Sequence, residues 1–322
     1  MKIGKGILTG MIVTLAGAGL VACGGSEDFD SNETGTMSMG ITDAAVDDVT
    51  EVRLTLSAVE VKPRDGERVR VDYEEEPLVI ENLLDLQGSL STEIMEETEV
   101  PAGRYNWIRL HVIGGAPDSR IVTEQGEHFD LFVPGQQQGG EDSQRHMQLV
   151  SGFTVPVDGH AHFVIDVDLR RALTRPANAD HYLLRPAVRI VDDVEVGTIR
   201  GTVEDSLVTA DTCTNDLDAD KGNAVYLYGG HDASLGDVHV DENGEPVGNE
   251  NPITVANVRQ DPDTGLYEYE VGFVPAGDYT IAFTCQAMDD DESEADEIEF
   301  SEGANIGVEA GETTVQDFPV ES

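Results

Sequence analysis

Apolar and polar residues alternate with a period of two along most of this 322-residue chain, the pattern of strands that bury one face. Val52, Leu54 and Leu56 alternate with Arg53, Thr55 and Ser57, and the parity then moves to Val59 and Val61, which predicts a bulge near Ser57 and Ala58. Val69, Val71 and Tyr73 follow the Arg64-Asp65-Gly66 turn as the second arm of a hairpin. Ile108, Leu110 and Val112 oppose Trp107, Arg109 and His111. Further strands are predicted over 119–123, 128–133, 148–155, 161–169 and 182–191, the last carrying Pro186, which suits an edge or a bulge. Residues 83–87 read as a short helical turn or an irregular strand, and 173–178 as one helical turn. The alternation reopens after Gly197, with strands predicted over 199–203, 224–228, 253–259, 266–273, 279–285 and 313–320. Helical periodicity is nowhere sustained. The predicted fold class is all-β, two consecutive β-sandwich domains over 37–195 and 196–322.

One motif occurs in both halves: Val100-Pro101-Ala102-Gly103-Arg104-Tyr105 and Val274-Pro275-Ala276-Gly277-Asp278-Tyr279. Proline fixes the entry to a turn, glycine admits positive φ, and tyrosine opens the next strand with its ring toward the core. This is a corner device, not a catalytic loop.

The N-terminus has a different character. Lys2 and Lys5 precede an apolar run from Ile7 to Leu20 that ends at Leu20-Val21-Ala22-Cys23. The run is shorter than the roughly 20 residues that span a bilayer as a helix, so 1–22 reads as an export signal. Leu-Val-Ala-Cys resembles the bacterial lipobox, which implies cleavage before Cys23, lipid on its thiol and an acyl group on its amine. Several acyl chains hold a protein to a membrane far more firmly than one. Residues 23–36 then form the lipidated cysteine and a polar, acidic tether. Gly24 and Gly25, with no aspartate directly after the cysteine, resemble the pattern that sends Gram-negative lipoproteins to the outer membrane or cell surface.

Charge narrows the partners. The chain has 19 Lys and Arg against 64 Asp and Glu, a formal charge of −45, and loss of Lys2 and Lys5 with the signal leaves about −47. Such a surface repels polyanions, so no nucleic acid partner is expected. An envelope protein or polysaccharide and the membrane itself remain. The scarcity of Lys beside Arg resembles proteins of salt-loving bacteria. With Cys23 assigned to lipid, Cys213 and Cys285 are an even pair in an oxidising compartment, and a disulfide is expected. In the chain-entropy picture a loop of that length stabilises by on the order of 4 kcal/mol.

Several segments together point to a family. Gly40-Ile41-Thr42-Asp43-Ala44-Ala45, Val49-Thr50-Glu51-Val52, Pro101-Ala102-Gly103-Arg104-Tyr105, Ile108-Arg109-Leu110, Val164-Ile165-Asp166-Val167-Asp168 and Leu184-Arg185-Pro186-Ala187-Val188-Arg189 stand in order and resemble the bacterial lipoprotein domain DUF4382 over about 37–195. The resemblance carries over no activity and no catalytic residue. The second half, with Pro275-Ala276-Gly277-Asp278-Tyr279 and Val308-Glu309-Ala310-Gly311-Glu312-Thr313, resembles carboxypeptidase-regulatory or transthyretin-like sandwiches.

Two constellations could carry chemistry. His160 and His162 fall on one strand face with Asp166 and Asp168, while Phe163, Ile165, Val167 and Leu169 face the core. Two such histidines suit zinc or copper; the plainer reading is a solvated strand face. Asp216, Asp218 and Asp220 resemble an EF-hand calcium loop, with the glycine one place late and Leu227 where the twelfth-position glutamate belongs. Calcium there would be weak, and a solvated acidic loop is the plainer reading. The run from Asp289 to Glu294 reads as solvated. No Gly-x-Ser-x-Gly elbow is present. The sequence therefore implies no catalytic residue and no required cofactor, and a binding, adhesion or scaffold role in the envelope. The competing reading is a metal-dependent hydrolase or metal-binding protein built on His160 and His162.

Overall fold

A computed structural model describes residues 33–44, 49–73, 76–135, 144–150, 152–177, 179–217, 220–241, 246–248 and 250–319. The signal, Cys23 and Asp218 lie outside them.

The chain is all-β, in four principal sheets, and no strand up to Asp192 pairs with one from Val196 onward among the described residues. In the N-terminal unit, one sheet runs in the order Val188–Asp192, His160–Asp168, Thr34–Ala44, Thr92–Pro101. Its central pair is parallel, with Thr36 opposite His160 and Ala44 opposite Asp168. The larger sheet is built on Val49–Pro63 and Gly103–Ile113. Met37, Met39 and Ile41 from one sheet and Leu54, Leu56, Val59, Ile108 and Leu110 from the other share a single core.

Local signals account for most of this. The pairing of Val49–Pro63 with Gly103–Ile113 slips between Leu56 and Ala58, where the parity of the sequence changes. The Gly66 turn, with φ 113°, returns Val69–Asp72 against residues 58–61. Tyr105 is fully buried, and its hydroxyl donates to Pro101 O at 2.8 Å. Tyr279 repeats the contact on Pro275 O at 2.7 Å. Only the first corner uses a left-handed glycine, Gly103 at φ 118°; Gly277 does not adopt one.

Several boundaries differ from expectation. The segment 182–191 is not one strand: His181–Leu184 pairs parallel to His128–Phe132, whereas Val188–Asp192 pairs antiparallel to His160–Asp168. Pro186 lies between them, without an amide proton to continue a ladder. The helical turn expected over 173–178 sits instead at Leu169–Ala172, capped by Asp168, whose carboxylate accepts from Arg171 N. The strand expected over 148–155 is split into Gln144–Leu149 and Phe153–Val155, and 253–259 divides at Val258 between two sheets. Residues 83–87 form a short 3-10 turn, Leu83–Leu86.

The C-terminal unit packs Arg259–Gln260, Tyr267–Pro275, Val196–Val203 and Thr313–Val315 against Thr254–Asn257, Ala224–Gly229, Gly277–Thr284 and Ala304–Val308. Ile199, Val225, Leu227, Val271, Ile281 and Phe283 fill the space between. Cys213 and Cys285 are joined in a disulfide.

Candidate functional site: a cleft between the two units

The units meet through backbone as well as side chains. A Cβ on Gly272 would lie 2.1 Å from Gly88 O, so only glycine permits this approach. Beside it, Ser89 donates from its N and its Oγ to Glu270 Oε1, at 2.8 and 2.6 Å. Val164 and Val191 of the first unit form an apolar contact with Val196 and Phe273 of the second. Phe273 has φ 51°, a conformation rare for a bulky residue. Such strain persists where the surroundings over-determine it, and the ring's place in the junction supplies that restraint.

A buried ion pair adds to the junction. Arg170 Nη1 lies 3.7 Å from Asp290 Oδ2, with the two side chains 5% and 0% exposed. Asp290 also accepts from the Tyr226 hydroxyl and from Val238 N at 3.2 Å. Burial raises its pKa, and Arg170 opposes that rise. This corrects the reading of the 289–294 run as wholly solvated. A charge run cannot reveal that one of its members turns inward to a guanidinium more than 100 residues away in the chain.

Next to these contacts the units form an open cleft of about 780 Å³, within the roughly 300–1,000 Å³ of small-molecule sites. Its walls bring together Thr42 and Asp43, Gln87 to Leu90, Asp166 and Arg189 from one unit. The other contributes Thr254 to Asn257 and Glu268 to Phe273. Four of the lining residues also hold buried polar atoms, shut off from solvent, with no hydrogen-bond partner: both carboxylate oxygens of Asp43, Nε2 of Gln87, Nη1 of Arg189 and Oδ1 of Asn257. Buried polar groups are nearly always paired, and leaving one unpaired costs about 1–3 kcal/mol.

Asp43 is the most extreme of them. It is 4% exposed, and its pKa is raised well above the ordinary carboxylate value by burial first and by the nearby Asp166 and Asp168 second. Gln87 and Leu169 N are close enough to pull it down, without reaching hydrogen-bond geometry. Its neighbours are answered: Asp166 is bound by the Arg189 guanidinium, and Asp168 lies 3.3 Å from Arg171 Nε. The sequence did carry a signal for Asp43. It continues the row of Met37, Met39 and Ile41, where the alternation calls for an apolar side chain.

The expected site residues are placed elsewhere. His160 and His162 share a face, yet their ring nitrogens meet hydroxyls: Thr36 Oγ1 and Ser38 Oγ lie 3.0 and 3.1 Å from His160, and Ser38 Oγ lies 2.7 Å from His162. Among the described residues no third ligand side chain joins them. The continuation of that face is not solvated as expected, because Val164 is 0% and Asp166 4% exposed beneath the second unit. Asp216 and Lys221 bond to each other through both backbone groups at 3.0 Å, closing the loop as a tight hairpin. The Asp220 carboxylate accepts from Gln260 N at 3.1 Å. The carboxylates that do converge are Asp237, Asp290 and Asp296, with one oxygen of each within 4.8 Å of the others.

Residues 34–186 match the model of a family described as a domain of unknown function, DUF4382. The cleft lies between the unit that carries this match and the sandwich that follows. Among solved structures, the chain is similar to a candidate cell adhesion protein from Parabacteroides distasonis, at 12% identity over 87% of this chain and 85% of that one, with a TM-score of 0.22. A candidate adhesin from Bacteroides ovatus is 10% identical over 88% and 94%, with a TM-score of 0.19. The minor pilin GBS52 of Streptococcus agalactiae is 12% identical over 89% and 98%, also at 0.19. At these scores no functional argument follows. No curated protein matches the sequence. No helix among the described residues is long and apolar enough to cross a membrane.

Proposed function

We propose that this is a non-catalytic binding protein of a bacterial cell envelope, anchored by lipid on Cys23, which takes a small polar ligand into the cleft between its units. The observation that carries the reading is the cleft of about 780 Å³ that charged and polar residues of both units line. An adhesion or scaffold role in the envelope is compatible with this, the cleft then serving as the point of attachment.

The test uses protein extracted from its own envelopes in detergent. Intact-mass spectrometry is expected to find Cys23 as the first residue, with its thiol diacylated and its amine acylated. Native mass spectrometry is expected to find a small molecule retained near one equivalent and depleted in Asn257→Ala. An unmodified Cys23 would refute the anchor, and a cleft that retains nothing in either protein would refute the binding role.

A further inference from the structure

We propose that the outer face of the larger sheet in the first unit docks an acidic polysaccharide, whose carboxylates are received by Lys62, Arg68, Arg70 and Arg109. None of these residues lines the cleft, so the inference stands apart from the small-ligand reading.

Strand register places these side chains together. Glu60 stands directly opposite Arg70 on one neighbouring strand and Arg109 on the other. Lys62 is opposite Trp107, Arg109 opposite Gln148 and His111 opposite His146. Directly opposed residues share one face of a sheet, and the other face here is the core, which takes Val59, Val61, Ile108 and Leu110. Arg68 joins the group through its Nη1, 3.5 Å from Glu60 Oε1.

A single carboxylate gathers the cations and leaves them in excess. The Glu60 side chain is 3% exposed, and nitrogens of Arg70 and Arg109 lie 3.6 and 3.3 Å from it. The arginine side chains above it reach solvent, Arg68 being 64% and Arg70 33% exposed. Asp72 pairs with Arg70 at 2.7 Å. Four cations therefore meet two carboxylates, an excess of positive charge on one face of a chain whose formal charge is −45. Burial and the neighbouring arginines hold the pKa values of His111 and His146 below the ordinary histidine value, so both rings are mainly neutral at pH 7 and offer hydrogen bonds.

Charge and shape together select the occupant. At about 0.15 M salt the Debye length is about 8 Å, so an anion on this face meets the local cations ahead of the distant carboxylates that set the net charge. Guanidiniums present paired donors that match a carboxylate, and the Arg109 guanidinium is held 4.0 Å over the Trp107 ring, an attractive arrangement. A broad anionic plane such as a bilayer surface fits poorly, because Asp65 and Glu67 in the turn before Arg68 and Asp72 beyond Arg70 are exposed and would meet the same plane. A thin polymer can lie inside that border. Extended peptides are taken up at sheet edges through main-chain hydrogen bonds, whereas a sheet face offers side chains alone and would leave a peptide's amides unanswered. Sugar hydroxyls and carboxylates are groups that arginine, glutamine and histidine side chains complement.

The experiment measures binding of the detergent-purified full chain to polygalacturonate, alginate and hyaluronate, with dextran as the neutral polysaccharide and polyglutamate as the acidic polypeptide, in about 0.15 M NaCl. At least one acidic polysaccharide should bind saturably, at least tenfold more tightly than dextran or polyglutamate. The double variant Arg68→Gln, Arg70→Gln should weaken that binding at least tenfold. Arg120→Gln with Arg175→Gln, an equal loss of charge elsewhere, should leave it unchanged. Glu60→Gln keeps the side chain's shape, frees the guanidiniums from their carboxylate and should tighten binding at least threefold; this variant decides alone if the double variant does not fold. Binding of dextran at equal strength overturns the role of the carboxylates, and equal binding of polyglutamate overturns the sugar in favour of an acidic polypeptide. A loss shared by the control pair, or an affinity unmoved in Glu60→Gln, overturns the assignment to this face. No saturable binding of any acidic polysaccharide overturns the proposal and leaves the cleft as a separate question.

Discussion

Among single residues, the buried carboxylate of Asp43 has energetics that follow directly from its surroundings. The folded state holds Asp43 with its pKa raised, while in the unfolded chain it titrates near the ordinary value of about 3.9. Between those two values the folded state binds the extra proton, so stability falls as pH rises through that window. Above it the penalty is complete, and below about pH 3.9 it is absent. Asp43→Asn keeps the shape and discards the charge. The variant should therefore be more stable than the wild type at pH 7, by about 1–3 kcal/mol, and the difference should shrink toward zero as pH approaches 3.9. Urea denaturation at the two pH values measures it. A variant less stable than the wild type at pH 7 would mean that Asp43 has a counter-charge in the unliganded protein.

Elements show how far sequence reasoning reaches. The bulge at Leu56–Ala58, the Gly66 hairpin and both tyrosine corners are local, so a few adjacent residues encode each, and each was legible. Thr92–Pro101 and Ala304–Val308 were not. The first carries exposed Glu93, Glu96, Glu97 and Glu99 at the sheet edge, and the second has only Ile306 and Val308 as buried apolar residues. An edge strand borrows its order from its neighbour, and its own pattern need not announce it. The cleft was illegible for a related reason. Val164, Asp166 and Phe273 acquire their roles from a second unit distant in sequence, and no period-two pattern encodes that contact. The two corners give a test at this scale. Gly103→Ala places a Cβ at φ 118° and should cost about 1–3 kcal/mol. Gly277→Ala brings a Cβ to 3.5 Å from the Tyr279 ring, an ordinary contact, and should stay within about 0.5 kcal/mol of the wild type. Thermal unfolding of both variants compares them directly, and equal losses would show that the shared motif, not the backbone conformation, sets the cost.

At the scale of the whole molecule, two strongly acidic units meet at a junction that includes a buried ion pair and a buried apolar contact. Arg170 with Asp290 and the Gly88 approach to Gly272 are out of solvent or made by backbone packing, and salt screens contacts of this kind little. The net repulsion acts largely through solvent between exposed carboxylates, and salt screens it strongly. The two contributions therefore respond differently to ionic strength. Raising NaCl from about 0.01 to 1 M contracts the Debye length from roughly 30 to 3 Å. It should remove the repulsion while leaving the junction intact. Each kcal/mol so relieved moves the melting midpoint of a domain of this size by about 2–4 °C. The midpoint should climb with salt, most steeply below about 0.1 M, where the Debye length still exceeds about 10 Å. A scan of thermal unfolding against NaCl decides the matter. A flat profile would mean that the acidic side chains are spaced widely enough not to oppose folding, and a falling one that exposed pairs such as Arg70 with Asp72 outweigh the repulsion.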